Sequence, residues 1–319
     1  MRNYVIRRIA LIIPSIIIVS VVIFFLIRIL PGDVVDLMMA DADSGRAGDK
    51  KTAEALRAKL GLDQPIYVQY LQYMGGLMRG DLGVSIWSGK PAVNEIIKSL
   101  PVTMELAILA VIISISISIP AGVISALKQD TPTDYVARVA SIMSLSVPGF
   151  FTGTLIVLLP AIWWHYSPPI IYVPFWEDPR VNLQQMLPPA FALGAIEAGV
   201  VTRMMRTTML EVLRQDYMRT AWAKGLRDRV VIYRHALKNA MIPVVTIIGL
   251  QVAALMGGSV IMEQIFSLPG LGRLTVGSIF QRDYGQLQGN ILFIAAFVLM
   301  MNLIVDIAYA WFDPRVHYR

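Results

Sequence analysis

The chain has no cysteine and little charge. Without cysteine there is no disulfide framework, no thiolate metal site and no thiol nucleophile. Only three histidines are present, His165, His235 and His317. They lie far apart in sequence, which argues against a histidine-based metal site. Charged residues make up 16% of the chain and hydrophobic residues 56%, against about 25% and about 45–50% in an ordinary soluble domain. The deficit in charge exceeds the excess in apolar content, so long stretches must carry almost no charge. The mean hydropathy of +0.61 agrees. These figures exclude a soluble globular enzyme, a disordered chain and a nucleic-acid-binding domain as the main reading. An all-α polytopic membrane protein is what they leave.

A membrane helix needs about 20 mostly apolar residues. Ile9–Ile27, Leu106–Leu127, Val139–Trp164, Ala240–Met262 and Tyr284–Val305 contain no charged residue. A sixth, weaker run, Val181–Thr202, is interrupted only by Glu197. Six helices are expected, at roughly 9–30, 102–127, 136–163, 187–206, 240–262 and 287–311. The first could be a cleaved signal peptide. Its 19-residue apolar run is longer than the usual h-region of about 7–15 residues, and no small-residue cleavage site follows. It reads as a retained helix.

An even number of spans puts both termini on one side. Sixteen of the 28 Lys/Arg fall on that side, nine of them between Arg203 and Lys238. The two short loops opposite hold only Arg180, Arg273 and Arg282. By the positive-inside rule both termini are cytoplasmic. The domain reading is an N-terminal helix with an extracytoplasmic helical insert over 1–100. A five-helix transmembrane domain over 101–319 carries a cytoplasmic loop at about 203–239. In the insert, Pro31-Gly32-Asp33 stops the first helix and 41–51 reads as a loop. Short helices are expected at 52–60, ending at Gly61, and at 65–78. Tyr67, Tyr70 and Tyr73 are placed on one face, for packing rather than for a partner. Pro120 and Pro148 sit within spans and can kink them.

The stretch Arg214–Lys238 differs from the rest, with nine charged residues in 25. Met218, Ala221, Trp222 and Gly225 follow at i, i+3, i+4 and i+7, one face of a short helix. Gly225 suits a helix end, and Asp228 can cap a second helix starting near Arg229. The segment therefore reads as helix, Gly turn, helix, with a small apolar face in need of cover. A helix lying on lipid headgroups and a docking element for a cytoplasmic protein both fit these residues.

The run Asp216-Tyr217-Met218-Arg219-Thr220-Ala221-Trp222-Ala223-Lys224-Gly225, with His235-Ala236-Leu237-Lys238-Asn239-Ala240 and Pro243, resembles the "EAA" loop of ABC importer permeases. It is similar to the dipeptide/oligopeptide branch, first permease subunit. Arg219 and Thr220 stand where the general motif has Glu and its first Ala, while Ala221 and Gly225 keep their spacing. Leu60-Gly61-Leu62-Asp63-Gln64-Pro65, Gly80-Asp81-Leu82-Gly83, Ser146-Val147-Pro148, Pro269-Gly270-Leu271-Gly272-Arg273 and Asp313-Pro314-Arg315 extend the resemblance over nearly the whole chain.

The resemblance implies a type I ABC importer fold in a prokaryotic plasma (inner) membrane and a chain that forms half of a translocation path. It implies a second homologous permease, two cytoplasmic ATPase subunits and an extracytoplasmic substrate-binding protein. Coupling to the ATPase would run through Asp216, Tyr217, Met218, Arg219, Thr220, Ala221, Trp222, Lys224, Gly225, His235, Leu237 and Asn239. Di- and oligopeptides are the implied substrates, with nickel complexes, glutathione or oligosaccharides as alternatives. No cofactor, metal or catalytic residue is expected in this chain; ATP and Mg belong to the partner ATPases. In keeping with that, the closest approach to a phosphate loop, Gly83 to Gly89-Lys90, has five intervening residues and ends in Pro91.

Ionisable groups at bilayer depth are costly and point to function. Glu105, Glu197 and Asp306 are the acids in question. Asp306 reads as structural, and Glu105 as reaching the headgroups or bordering the path. Glu197, between small neighbours, reads as bordering a hydrated path or as half of an interhelix hydrogen bond. A self-sufficient carrier, an intramembrane hydrolase and a signalling scaffold are the competing classes. Three membrane acids are few for ion coupling, and no histidine falls within a span to serve as a base.

Overall fold

A computed structural model of the protein describes residues 2–29, 35, 54–55, 57–58 and 61–312. Regular structure among these residues is helical, apart from one antiparallel bridge between Val84 and Pro91. In chain order the helices are α1 (Arg2–Ile29), α2 (Ile66–Leu77), α3 (Ala92–Leu127), α4 (Pro132–Ser146), α5 (Gly149–Trp164), α6 (Pro179–Leu213), α7 (Asp216–Ala223), α8 (Asp228–Val230), α9 (Lys238–Ile265), α10 (Leu271–Phe280) and α11 (Tyr284–Phe312). A π-helical stretch, Val231–Leu237, joins α8 to α9. The chain stop at 31–33, the loop at 41–51, most of the helix expected at 52–60 and the closing motif at 313–315 lie outside the described residues.

Among the described residues four helices are long and apolar enough to cross a membrane: within α1, α3, α8–α9 and α11. A fifth is counted if α4 and α5 are one broken span. The expected third helix is thus not continuous. Proline disfavours helix in the residue before it. Val147, before Pro148, is extended at φ −85° and ψ 123°, and the two helices meet at a 97° bend. Pro120 has no such effect, and α3 runs through it. The helix expected at 187–206 exists as α6 but is too polar to join the apolar group. Pro188, Pro189 and Glu197 lie within it, and Asn182 and Gln185 are buried in it. A helix lined by protein along much of its length needs less apolar surface than one facing lipid.

The residues divide into two compact units. The first comprises 1–4, 102–268 and 300–319. One of its cores joins Leu106 and Ala110 of α3, Met186, Ala190 and Leu193 of α6, and Leu255 and Met262 of α9. Lipid tails are as apolar as leucine, so close packing rather than hydrophobic burial holds such helices together. A Cβ on Gly194 would lie 2.6 Å from the Ala110 carbonyl of α3. One on Gly122 would lie 2.6 Å from Met205 Cβ of α6, and one on Gly199 would collide with Ser144 of α4. The small residues around Glu197 are therefore the places where neighbouring helices touch α6.

The second unit comprises 5–101 and 269–299. Phe24 of α1 is fully buried, edge-on to Tyr70 and stacked with Tyr73 of α2. The Arg28 guanidinium lies 3.5 Å from the centroid of the Phe24 ring and donates to Gln69 at 3.0 Å. Tyr67, by contrast, is 68% exposed. Steps of three residues advance only about 300° on a helix, so the three tyrosines drift off a common face. Asp283 organises the other side of this unit. Its carboxylate accepts from Ser85 Oγ (2.5 Å), Ile86 N (3.1 Å) and Gln286 N (3.2 Å).

Candidate functional site

The charged segment between α6 and α9 folds as a hairpin. Asp216 opens α7, where its charge suits the helix N-terminus. Arg219 lies 3.7 Å from it, but both side chains are largely exposed, so the pair adds little. Thr220 Oγ1 donates to the Asp216 carbonyl. At the far end the Lys224 N–H donates to the Thr220 carbonyl at 3.1 Å, and Gly225 N donates to Trp222 O at 2.9 Å. Gly225 turns the chain at φ +76°, in open space, a conformation that favours glycine.

Asp228 does not cap the second helix. Its Oδ1 accepts instead from Trp222 Nε1 at 2.9 Å, a bond that closes the hairpin across the glycine turn. The following Val231–Leu237 stretch has π-helical pairing, a form that recurs at functional sites. Asn239 Nδ2 then donates to the His235 carbonyl (2.8 Å) and to Tyr217 Oη (3.1 Å), tying α7 to the start of α9.

The small apolar face is not open. Met218 and Ala221 are buried in a core with Val123 of α3, Met205 and Met209 of α6, Val231, Ala236 and Ala240, with Leu237 packed against it. The chain itself supplies the cover that the sequence pattern called for. What remains outside is a different surface: Tyr217, Trp222, Leu226, Val230 and Tyr233 are exposed large hydrophobics, the last at 59%. Leu226, Val230 and Tyr233 were not among the expected residues, although their i, i+4, i+7 spacing carries the signal. Arg219, Lys224, Arg227, Arg229 and Arg234 surround them in sequence and are exposed. The hairpin thus has an inward face locked to three helices and an outward face that is apolar and ringed by cations.

The two path candidates lie apart. The Glu105 Oε2 accepts from Tyr172 Oη at 2.8 Å, and its Oε1 is buried with no hydrogen-bond partner among the described residues. Burial, and then the Glu105 carboxylate, raise the Tyr172 phenol above its usual range. Tyr172 belongs to a loop that Gln185 and Asn182 hold from below, through Ile171 O, Val173 N and Val173 O. Glu197 is half-buried in α6. Its backbone carbonyl accepts from Gln251 Nε2 at 3.2 Å, and its carboxylate makes no hydrogen bond among the described residues. Two buried polar pairs escaped the sequence reading. Thr103 Oγ1 donates to Glu263 at 2.8 Å, and Arg206 grips Asp134 with two bonds of 2.7 Å. No spacing signal links partners 160 and 72 residues apart.

Comparison with known proteins bears on the fold and the family. A solved structure, "Crystal structure of an amino acid ABC transporter with histidines", shares the fold at a TM-score of 0.51 and 15% identity, over 70% of this chain and 95% of that one. Residues 118–318 match the family described as "Binding-protein-dependent transport system inner membrane component", and residues 1–107 match its N-terminal companion. The chain is 37% identical over 343 residues to the dipeptide transport system permease protein DppB of Escherichia coli (strain K12). It is 37% identical over 339 residues to the di/tripeptide transport system permease protein DppB of Pseudomonas aeruginosa (strain UCBPP-PA14). Both matches cover the full length of both chains. Fold and family match together define an all-α, multi-pass membrane protein of the ABC-transporter type. The chain belongs to the family of binding-protein-dependent transport system inner membrane components.

Proposed function

We propose that this chain is one permease half of an ATP-driven importer of di- or oligopeptides. It pairs with a second permease, receives substrate from an extracytoplasmic binding protein, and is driven by two ATPase subunits docked on the hairpin at Asp216–Asn239. Bond chemistry is left to the ATPases, which bind ATP and Mg; this chain is path and lever. The excess of Lys and Arg between α6 and α9 supports a cytoplasmic hairpin and cytoplasmic termini. The peptide substrate rests on relatives named as dipeptide and di/tripeptide permeases.

The observation that carries the coupling role is the two-faced hairpin. A docking lever must be rigid towards its own chain and sticky outward. Met218 and Ala221 meet the first need, and Trp222, Leu226 and Tyr233 meet the second. The test uses the tagged chain purified gently from its native membranes. ATPase subunits and a sister permease should co-purify and hydrolyse ATP. Leu226→Glu and Tyr233→Glu, both on the outer face, should strip the ATPases while the two permeases stay paired. A lone, ATP-indifferent protein would overturn the reading.

A further inference from the structure

The Asp134 carboxylate has no exposed surface and accepts four hydrogen bonds from three residues. Arg206 Nε donates to Oδ1 and Arg206 Nη2 to Oδ2, both at 2.7 Å, in the two-pronged geometry that suits guanidinium and carboxylate. Ser125 Oγ donates to Oδ1 at 2.5 Å, and the Asp130 N–H to Oδ2 at 3.0 Å. One side chain thereby joins the last turns of α3 (Ser125), the turn after it (Asp130), the first turn of α4 (Asp134) and α6 (Arg206). Beside it, Gly122 lets α3 and α6 approach until a Cβ would meet Met205 at 2.6 Å. Val123 and Ala126 of α3 share a core with Met205 and Met209 of α6 and with Met218 and Ala221 of α7. The clamp and the docking hairpin are therefore attached to the same stretch of α6.

We infer that Asp134 and Arg206 are positioning residues that couple the hairpin to the α3–α4 connection, so that a push on α7 moves α3, α4 and α6 as one block. The inference rests on the ATPase-docking reading above. Packing alone resists compression but lets helices slide past one another. A bidentate, buried ion pair resists sliding, because any displacement leaves an unpaired charge out of water. Without it, the stroke of the ATPases would be spent between α6 and its neighbours.

The test uses the complete importer in proteoliposomes, with radiolabelled dialanine as the transport probe. Asp134→Asn and Arg206→Gln should keep binding-protein-stimulated ATP hydrolysis within about twofold of native. Dialanine taken up per ATP should fall about fivefold or more, within the range of coupling losses along packed networks. Arg206→Lys, which keeps the charge and one bond, should recover about half of that loss. A second measurement does not need the substrate. Since the chain has no cysteine, spin labels can be placed at Thr133→Cys and Gln215→Cys alone, both exposed and both outside the docking residues. Their distance should be unchanged by ATP in the otherwise native chain and should broaden in Asp134→Asn. Equal coupling ratios in all variants, or a native label distance that shifts with ATP as much as in Asp134→Asn, would overturn the inference. So would loss of the assembled complex in every variant, Arg206→Lys included, which would make the pair a folding element only. Absence of any ATPase partner would overturn the docking reading instead, and the label distances in the purified full chain would still decide the rigidity of the block.

Discussion

Trp222 Nε1 donates to Asp228 Oδ1 across the Gly225 turn, at 2.9 Å. The bond is exposed, and with the Asn239–Tyr217 bond it ties together the two sides of the Gly225 turn. A neutral-to-charged hydrogen bond of this kind contributes about 1–2 kcal/mol. Trp222→Phe keeps the ring and removes the donor. Amide hydrogen exchange over residues 216–228 should then speed up by about fivefold, from a local opening cost lowered by about 1 kcal/mol. Unchanged exchange would mean that the buried Met218 and Ala221 hold the turn unaided.

Gly194 marks a close approach of α6 to α3, where a Cβ would press on the Ala110 carbonyl at 2.6 Å and on Ile113 at 3.0 Å. Backbone cannot yield as a flexible side-chain tip does, so Gly194→Val should destabilise the protein by about 1–3 kcal/mol. The thermal midpoint in detergent should drop by several degrees. Gly257→Ala is the control, since nothing lies within 4 Å of its Cβ position. It should leave the midpoint unchanged or raise it slightly.

Tyr73, in the insert, has a buried hydroxyl with no hydrogen-bond partner among the described residues, and burial, aided by Tyr70, pushes its pKa up to about 12 from 10.0. The sign follows from proton linkage: the unfolded chain loses this proton first as pH rises. The raised value therefore contributes stability that is complete below pH 10.0 and is lost as pH rises to about 12. In Tyr73→Phe this alkaline decline should be smaller, and stability at neutral pH should not fall, because an unsatisfied polar group has been removed. Alkaline unfolding followed by circular dichroism reads both.

Glu197 carries a half-buried carboxylate without a hydrogen bond among the described residues, in a helix otherwise closed by small-residue contacts. A carboxylate left so needs water, and water marks a path. Glu197→Gln should lower dialanine uptake by a factor on the order of ten, or ~1.4 kcal/mol. The amount of assembled complex should be unchanged. Normal uptake in that variant would remove Glu197 from the path.

The helices were legible because charge is excluded from lipid, and five charge-free runs stand out against a charged remainder. The hairpin was legible because its charge density reverses that pattern. Its orientation was not. The spacing of Met218 and Ala221 marks an apolar face but does not say which neighbour covers it, and Val123, Met205 and Met209 lie elsewhere in the chain. Pro148 was legible as a kink, but the full break at Val147 was not, for a related reason. Pro120 and Pro148 look alike in sequence, yet one helix continues through its proline and the other ends before it. Tertiary packing decides between them. Asp134 and Arg206 sit at the edges of apolar runs, where charges are expected in any case, so nothing local announces that they meet.

The right-angle elbow between α4 and α5 has a geometric consequence. Its arms contain 15 and 16 residues, so they are about 22 and 24 Å long. Neither reaches across a hydrocarbon layer of about 30 Å. Bent by 97°, their outer ends stand about 31 Å apart, with the corner about 17 Å off that line. The pair can thus bridge the layer only as a bracket, and a bracket encloses a wedge wider than one helix. Gly149 against Ile196 and Gly199 against Ser144 show α6 filling that wedge, while Met262 of α9 presses on Gly153. With Arg206 bolted to Asp134 at one end, α6 has neither room to swing out of the bracket nor freedom to slide along it.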